Sequence, residues 1–331
     1  MTHKLPSDTL DVKDRKILDI LAKDARTPCA RIAKHIRLSK DAVRYRIARL
    51  ENRGAIAGYR AVVDTERLGF DNYHILIQWL KQSKESQSRM VERMAALPFV
   101  RSVLLFMGKY DVEVALIARG VREFERYLDA LLGICSDLEF NYEVLLLTKT
   151  YRSRLADQSQ RNQEETLRDA TDVLILRALA DDARLPMVSV GKRVGISSDA
   201  VAYRLRSLVG RGVIAGWIPV IDYRALDKAW YMVLFSFKWL GPEEKMKVHE
   251  VLSTDERIFW SAKAIGRFTS VAYLAAESPE DALRLWRRLA DVCPSKIRDA
   301  ELLLVDSQKK FTYMPLVVDA EVLKNDGDSV I

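Results

Sequence analysis

The segment SKDAVRYRIARLENRG, residues 39–54, concentrates side chains suited to one kind of chemistry. At 100° per residue its apolar stripe is Val43, Ile47 and Leu50. Asp41, Arg44, Tyr45 and Ala48 fall opposite that stripe, flanked by Lys40 and Arg49. A cationic helix face neutralises phosphates, and an arginine on it can bond bidentately to a guanine edge in the major groove. Arg44 is placed for base contact, and Lys40 and Arg49 for phosphates or bases. Arg53 and Arg60, beyond the helix, suit phosphates. Arg46 lies at the edge of the apolar stripe, where a structural ion pair or a snorkelling role is expected. Other reactive residue types are sparse. His3, His35, His74 and His249 show no metal-ligand spacing. Cys29, Cys135 and Cys293 are too few and too scattered for a disulfide framework or a metal cluster. No metal and no cofactor is expected. Paired catalytic carboxylates, a nucleophile elbow and a phosphate-binding glycine loop are all missing from the sequence, so no enzyme activity is expected either.

The basic helix needs neighbours to position it. Residues 11–23 carry Val12, Ile17, Ile20 and Leu21 at helical spacing. Pro28 opens a second short helix with Ile32 and Ile36 four apart. Ser39 is a good N-cap for the third helix, and Gly54 ends it. Three helices with a short turn before the third make a helix-turn-helix. The following AIAGYRAVVD alternates like a strand pair and is expected to form a wing.

This unit occurs twice. DARTPCARIAKHIRLSKDAVRYRIARLENRGAIAGY recurs as DARLPMVSVGKRVGISSDAVAYRLRSLVGRGVIAGW, 158 residues on and without a gap. Between residues 14 and 64, 24 of 51 positions match their partners, against about three expected by chance, so the duplication is secure. The offset continues: Tyr73 matches Tyr231, Gly108 matches Gly266, Cys135 matches Cys293 and Glu143 matches Glu301. The charge follows the repeat. Residues 1–70 carry +7, 71–158 carry 0, 159–228 carry +2 and 229–331 carry −2. The second basic helix is weaker, with Ser198 for Lys40, Ala202 for Arg44 and Ser207 for Arg49. Arg206 replaces Ala48 and faces outward, while Tyr203, Arg204 and Arg211 remain. Most of the DNA affinity is therefore expected from the first copy.

The second part of each unit reads as βαββαβ, the ferredoxin-like order. NYHILIQWLK, VRSVLLFMG, DVEVALIAR and LEFNYEVLLLT are its strands; QSRMVERMAAL and VREFERYLDALLG are its helices. WYMVLFSFKWL to DAELLLVDS repeats the order, and Cys135 and Cys293 end equivalent helices as small core residues. Such a sheet buries one face on its helices and leaves an apolar face in need of a partner sheet. The fold class is α+β. Expected domains are helix-turn-helix 1 over 8–66, ferredoxin-like domain 1 over 67–151, a polar linker over 152–168, helix-turn-helix 2 over 169–224, ferredoxin-like domain 2 over 225–315 and a flexible acidic tail over 316–331. The N-terminus lacks a hydrophobic signal core, and no run of about 18 apolar residues occurs, so a cytoplasmic protein is expected.

LDVKDRKILDILAKDAR, LSKDAVRYRIARLENRGAIAGY and the GKYD turn at residues 108–111 resemble the Lrp/AsnC family, nearly over the whole chain and twice. The resemblance implies a winged helix-turn-helix joined to a ferredoxin-like domain that pairs sheet to sheet. It implies double-stranded DNA as partner, self-association within or between chains, and an amino acid or related metabolite bound at Gly108, Tyr110 and Asp111. There Gly108 would free a backbone amide for a carboxylate and Asp111 would hold an ammonium. The second copy reads Gly266-Arg267-Phe268-Thr269 and has lost the acid. Siroheme decarboxylases share the architecture and form the enzymatic alternative. They call for a histidine-rich ligand domain, whereas here Met232 faces His74 across the repeat and His74 is expected to be a packed strand residue.

Overall fold

A computed structural model describes residues 10–80, 84–136, 138–153, 167 and 170–318. The first head has α1 (Val12–Lys23), α2 (Cys29–Ile36) and α3 (Lys40–Asn52). Asp11 caps α1 in a capping box with Asp14, and Ser39 caps α3 by accepting from the Ala42 amide at 3.1 Å. Ile17, Leu21, Ile32, Val43, Ile47 and Leu50 form its core. The second head repeats this with α6 (Ala170–Asp181), α7 (Met187–Val194) and α8 (Ser198–Gly210).

Each head continues into a single strand, β1 (Ile56–Val63) or β6 (Ile214–Ile221), where a strand pair is expected from the sequence. The missing partner comes from the other copy. β1 and β6 pair antiparallel, with Arg60 opposite Ile218. These two positions are equivalent in the repeat, so the local two-fold axis passes between them. A lone strand leaves its backbone groups unpaired, and the duplicated strand satisfies them. Around this ribbon the heads are clasped reciprocally. The Ala25 amide donates to the Trp217 carbonyl at 2.9 Å, and the Ala183 amide to the Tyr59 carbonyl at 2.8 Å. Arg26 donates to the Ala183 carbonyl and lies over Trp217, while Arg184 donates to the Ala25 carbonyl and lies over Tyr59. The helix α1 packs on β6, and α6 on β1.

The ferredoxin-like part of copy 1 is β2 (Asp71–Trp79), α4 (Lys84–Ala96), β3 (Val100–Met107), β4 (Val112–Ala118), α5 (Gly120–Leu132) and β5 (Phe140–Ser153). Copy 2 has β7 (Ala229–Phe237), α9 (Pro242–Thr254), β8 (Ile258–Ile265), β9 (Ser270–Ala276), α10 (Pro279–Val292) and β10 (Ile297–Phe311). The strands alternate as a half-covered sheet requires: Val112, Val114 and Leu116 face the helices, Glu113 and Ala115 face the other sheet. The expected pairing of the two sheets occurs within one chain, and they also join edge to edge. β5 and β10 are long enough to pair first with their own copy and then with β8 and β3 of the other. Leu146 meets Ile265 and Leu304 meets Met107, the same pairing offset by 158. The result is a closed eight-stranded barrel in the order β10-β3-β4-β2-β5-β8-β9-β7, which leaves no free sheet edge.

Two boundaries differ from expectation. Residues 152 and 153 are the end of β5 rather than linker, because pairing with β8 holds them. The rest of the linker lies outside the described residues apart from Leu167, which is buried. The tail begins as packed structure. Val317 and Val318 are buried with Met314 against the copy 1 core, and the Val317 amide donates to the Pro98 carbonyl. Residues 319–331 lie outside the described residues. Among the described residues, no helix is long and apolar enough to cross a membrane.

Candidate nucleic-acid interface and effector site

The exposed side of α3 carries Lys40, Arg44 and Tyr45, with Tyr45 69 % exposed. Arg44 reaches back to Asp41 at 3.2 Å in an open ion pair that water screens, so its guanidinium is exchangeable for another anion. Arg49 is placed differently from its expected role. Its guanidinium turns toward α1 and bonds Asp14 Oδ2 at 2.5 Å. Arg46 bonds the same fully buried carboxylate at 2.8 Å and Asp11 at 2.6 Å. Asp14 draws both arginines inward because a buried carboxylate needs donors on each oxygen. Hydrogen bonds from the Asp14 backbone and from Arg46 hold the Asp11 carboxyl below its ordinary range against slight burial. The structural ion pair expected of Arg46 is therefore present and includes Arg49. In copy 2, Arg204 bonds the equivalent acid Asp172 at 2.9 Å, and Ser207 stands at the position of Arg49.

Arg53 and Arg211 occupy the C-caps of α3 and α8 and are partly buried within their heads. Arg60 lies on the ribbon, where it donates to the Phe311 carbonyl at 2.9 Å and stands over that ring. It faces the barrel end rather than the α3 surface. On α8, Tyr203 and Arg206 are exposed and Ser198 is partly so. The geometry brings together Lys40, Arg44 and Tyr45 on one face and leaves Arg49 and Arg60 off it. A residue that sequence reasoning missed is Arg37. It ends α2 in the left-handed conformation at φ 56°, exposed, where the second copy has Gly195 at φ 79°. A side chain at a position where the other copy uses glycine was the readable signal.

The GKYD turn joins β3 to β4 at the barrel end away from the ribbon. Gly108 adopts φ 151°, and a Cβ there would stand 2.8 Å from Leu303 of β10. Gly266 is tighter still, since its Cβ would stand 2.4 Å from the Val144 carbonyl oxygen. Each glycine lets its turn lie on the last strand of the other copy. Lys109 bonds Glu301 at 2.6 Å, and the equivalent Arg267 bonds Glu143 at 3.0 Å. Asp111 Oδ2 accepts from the Trp79 amide at 2.8 Å, so this acid is engaged in fixing the turn. Tyr110 is buried with its hydroxyl lacking a partner, and burial outweighs nearby Arg267 to push its pKa up to about 12. Tyr110, Lys109, Arg267 and Glu143 line a pocket of about 370 Å³ there.

Two helix-turn-helix heads clasped about a ribbon, above a barrel of two ferredoxin-like sheets, define a duplicated helix-turn-helix regulator-type fold. The AsnC-type helix-turn-helix domain matches residues 10–51 and 169–209. The HTH-type transcriptional regulator LrpA of Pyrococcus horikoshii is 34 % identical over 124 residues, covering 38 % of this chain and 86 % of that regulator. The regulatory protein AsnC of Haemophilus influenzae is 25 % identical over 130 residues, covering 39 % of this chain and 86 % of that protein. The chain belongs to the Lrp/AsnC family and carries its unit in two tandem copies. The crystal structure of the siroheme decarboxylase NirDL aligns over 95 % of this chain and 99 % of that one, with a TM-score of 0.62 and 14 % identity, a likeness of fold alone.

Proposed function

We propose that this chain is a sequence-specific, DNA-binding transcriptional regulator of the cytoplasm, without enzymatic activity, whose DNA binding responds to a small metabolite. One observation carries the reading. The exposed side of α3 holds Lys40, Arg44 and Tyr45 free of buried partners, on a head whose orientation is fixed by the β1–β6 ribbon. Such a face suits the major groove, with Arg44 toward base edges and Lys40 toward phosphate. The second head, through Ser198, Tyr203 and Arg206, adds a weaker contact. Because the ribbon joins the heads across a two-fold axis, the preferred site is a pair of half-sites of unequal strength. The Gly108–Asp111 turn is the family-implied effector position, and Tyr110 is the member of it with an unsatisfied group.

Selection of bound DNA from a random pool tests this. The expected result is an enriched motif with two spaced half-sites, one better defined. Lys40→Ala/Arg44→Ala should lose most of the affinity, and the log–log salt slope should flatten by up to about two. No enrichment, or an unchanged affinity in the double variant, would refute the reading. Haem-like absorbance in the purified chain together with no DNA shift would favour the decarboxylase reading instead.

A further inference from the structure

The barrel end that faces the ribbon contains a cavity of about 250 Å³. An exact duplication would line it with matching walls. The two copies differ here position by position. His74, Arg101, Ser102 and Ala115 of copy 1 stand where copy 2 has Met232, Phe259, Trp260 and Tyr273. The space exists because Ser102 and Ala115 are small where their counterparts are large. One wall has become polar and cationic, the other aromatic.

The polar wall is not self-satisfied. Glu113, fully buried, already accepts from the Tyr273 hydroxyl at 2.5 and 2.7 Å and abuts His74 Nδ1. Arg101 donates to the Asn72 amide oxygen at 2.8 Å and Arg60 to a backbone carbonyl, and among the described residues neither guanidinium bonds a carboxylate. The nearby acids are otherwise engaged: Asp64 accepts from the Glu66 and Arg67 amides, and Glu66 from the Asn72 side chain. Two further lining groups are orphaned. Thr65 Oγ1, on a residue 2 % exposed, and Trp230 Nε1 are buried without partners. Buried polar groups of this kind are ordinarily satisfied by a partner, a bound molecule or an ordered water, and these two open onto the cavity. On the aromatic wall Phe259 stacks on Tyr223 at 4.9 Å and meets Trp230 edge-on at 5.5 Å, while Trp260 lies parallel to His74 at 5.9 Å.

We infer that this cavity is a binding site for a small aromatic carboxylic acid, its ring against Trp260 and Phe259 and its carboxylate on Arg101, within reach of Thr65 and Trp230. The volume is below the ~300–1,000 Å³ of drug-sized pockets, which limits the ligand to one ring system with a short acidic side chain. The site is distinct from the turn pocket, which lies at the other end of the barrel. Its roof includes Arg60 and Ile218, the ribbon residues between the two heads. Occupancy therefore changes how the ribbon seats on the barrel and with it the setting of the heads, a coupling that rests on the DNA-binding reading above.

Calorimetric titration of the full chain with indole-3-acetate, phenylacetate and uncharged indole tests the site. Expected are one acid bound per chain and at least tenfold weaker binding of indole. Arg101→Met should weaken the acids at least tenfold, and Ala115→Leu, which fills the cavity, should abolish binding. Unchanged thermal midpoints establish that both variants fold. Absence of acid binding to the wild-type chain would overturn the proposal. So would binding that survives both substitutions, or binding lost in Tyr110→Phe and kept in Arg101→Met, which places the acid at the turn. DNA affinity with and without saturating acid reads the coupling separately. Acid binding without DNA binding would refute the regulator reading and leave the site standing; DNA binding indifferent to the acid would remove the coupling.

Discussion

Arg49→Ala separates two roles that the sequence alone treats as one. On the helical wheel Arg49 flanks the proposed DNA face, but in the fold it shares the buried Asp14 with Arg46. Its removal leaves Asp14 Oδ2 with one fewer charged donor. A hydrogen bond to a charged group contributes about 1.5–3 kcal/mol. Arg49 keeps 29 % of its side chain exposed, so water recovers part of that, and a loss of about 1–2 kcal/mol in the first head is expected. Copy 2 bears on this magnitude: it carries Ser207 at this position beside its Arg204–Asp172 pair, so the loss of this arginine is tolerable rather than prohibitive. Urea denaturation of Arg49→Ala, Asp14→Ala and the double variant forms a thermodynamic cycle, and a coupling of at least about 1 kcal/mol is expected. The salt slope of DNA binding should stay at the wild-type value, since no phosphate contact is lost. A stability within about 0.5 kcal/mol of wild type together with a slope flattened by about one would refute the reasoning and return Arg49 to the DNA face.

Gly266→Ala should cost more than Gly108→Ala, because its new Cβ meets the Val144 backbone oxygen whereas at Gly108 it meets the movable end of Leu303. About 3 kcal/mol against about 1–2 kcal/mol is the expected order in chemical denaturation, and the reverse order would mean that the Val144 oxygen yields more readily than Leu303. Arg37→Gly should raise the stability of the first head by about 0.5–1 kcal/mol by relieving the left-handed backbone, and DNA affinity should fall if the exposed cation is why arginine is kept there. In copy 2, burial pushes the Asp255 carboxyl up, but bonds from Arg257 and Arg288 outweigh it and hold its pKa below the ordinary value. A depressed folded pKa gives stability that is full above the unfolded value of about 4 and is lost as pH falls through the folded one. The penalty of Asp255→Asn in urea denaturation should therefore be large at pH 7 and shrink below pH 4; a penalty that grows on acidification would contradict the pairing.

The two heads have diverged in a consistent direction. Copy 1 keeps Lys40, Arg44 and the two-arginine clamp on Asp14, and it accepts a strained Arg37. Copy 2 replaces these with Ser198, Ala202, Ser207 and an unstrained Gly195. The barrel has diverged by the same route, one copy contributing polar side chains to the ribbon-side cavity and the other aromatic ones. A duplicated chain permits this because each member of a two-fold pair is encoded separately, whereas a homodimer must carry the same residue on both walls.

The sequence by itself determined what depends on near neighbours and on the repeat. Helical spacing of Val43, Ile47 and Leu50, the cap at Ser39 and the stop at Gly54 fix α3, and the edge position of Arg46 pointed to an ion pair or a snorkelling role, of which the ion pair forms. The 158-residue offset established two copies, and period-two alternation established sheets with one face awaiting a partner. Tertiary structure alone decided the pairings between distant segments. That each wing strand takes its partner from the other copy, that β5 and β10 close a barrel, and that Arg49 turns to an acid 35 positions earlier all depend on long-range contacts. Such contacts leave no periodic trace in the chain, because a backbone hydrogen bond between strands is indifferent to side-chain type and a guanidinium flanking a helix face can swing to either side. The cavity beneath the ribbon belongs to the same class: its residues are scattered from Arg60 to Tyr313, and only the closure of the barrel makes them neighbours.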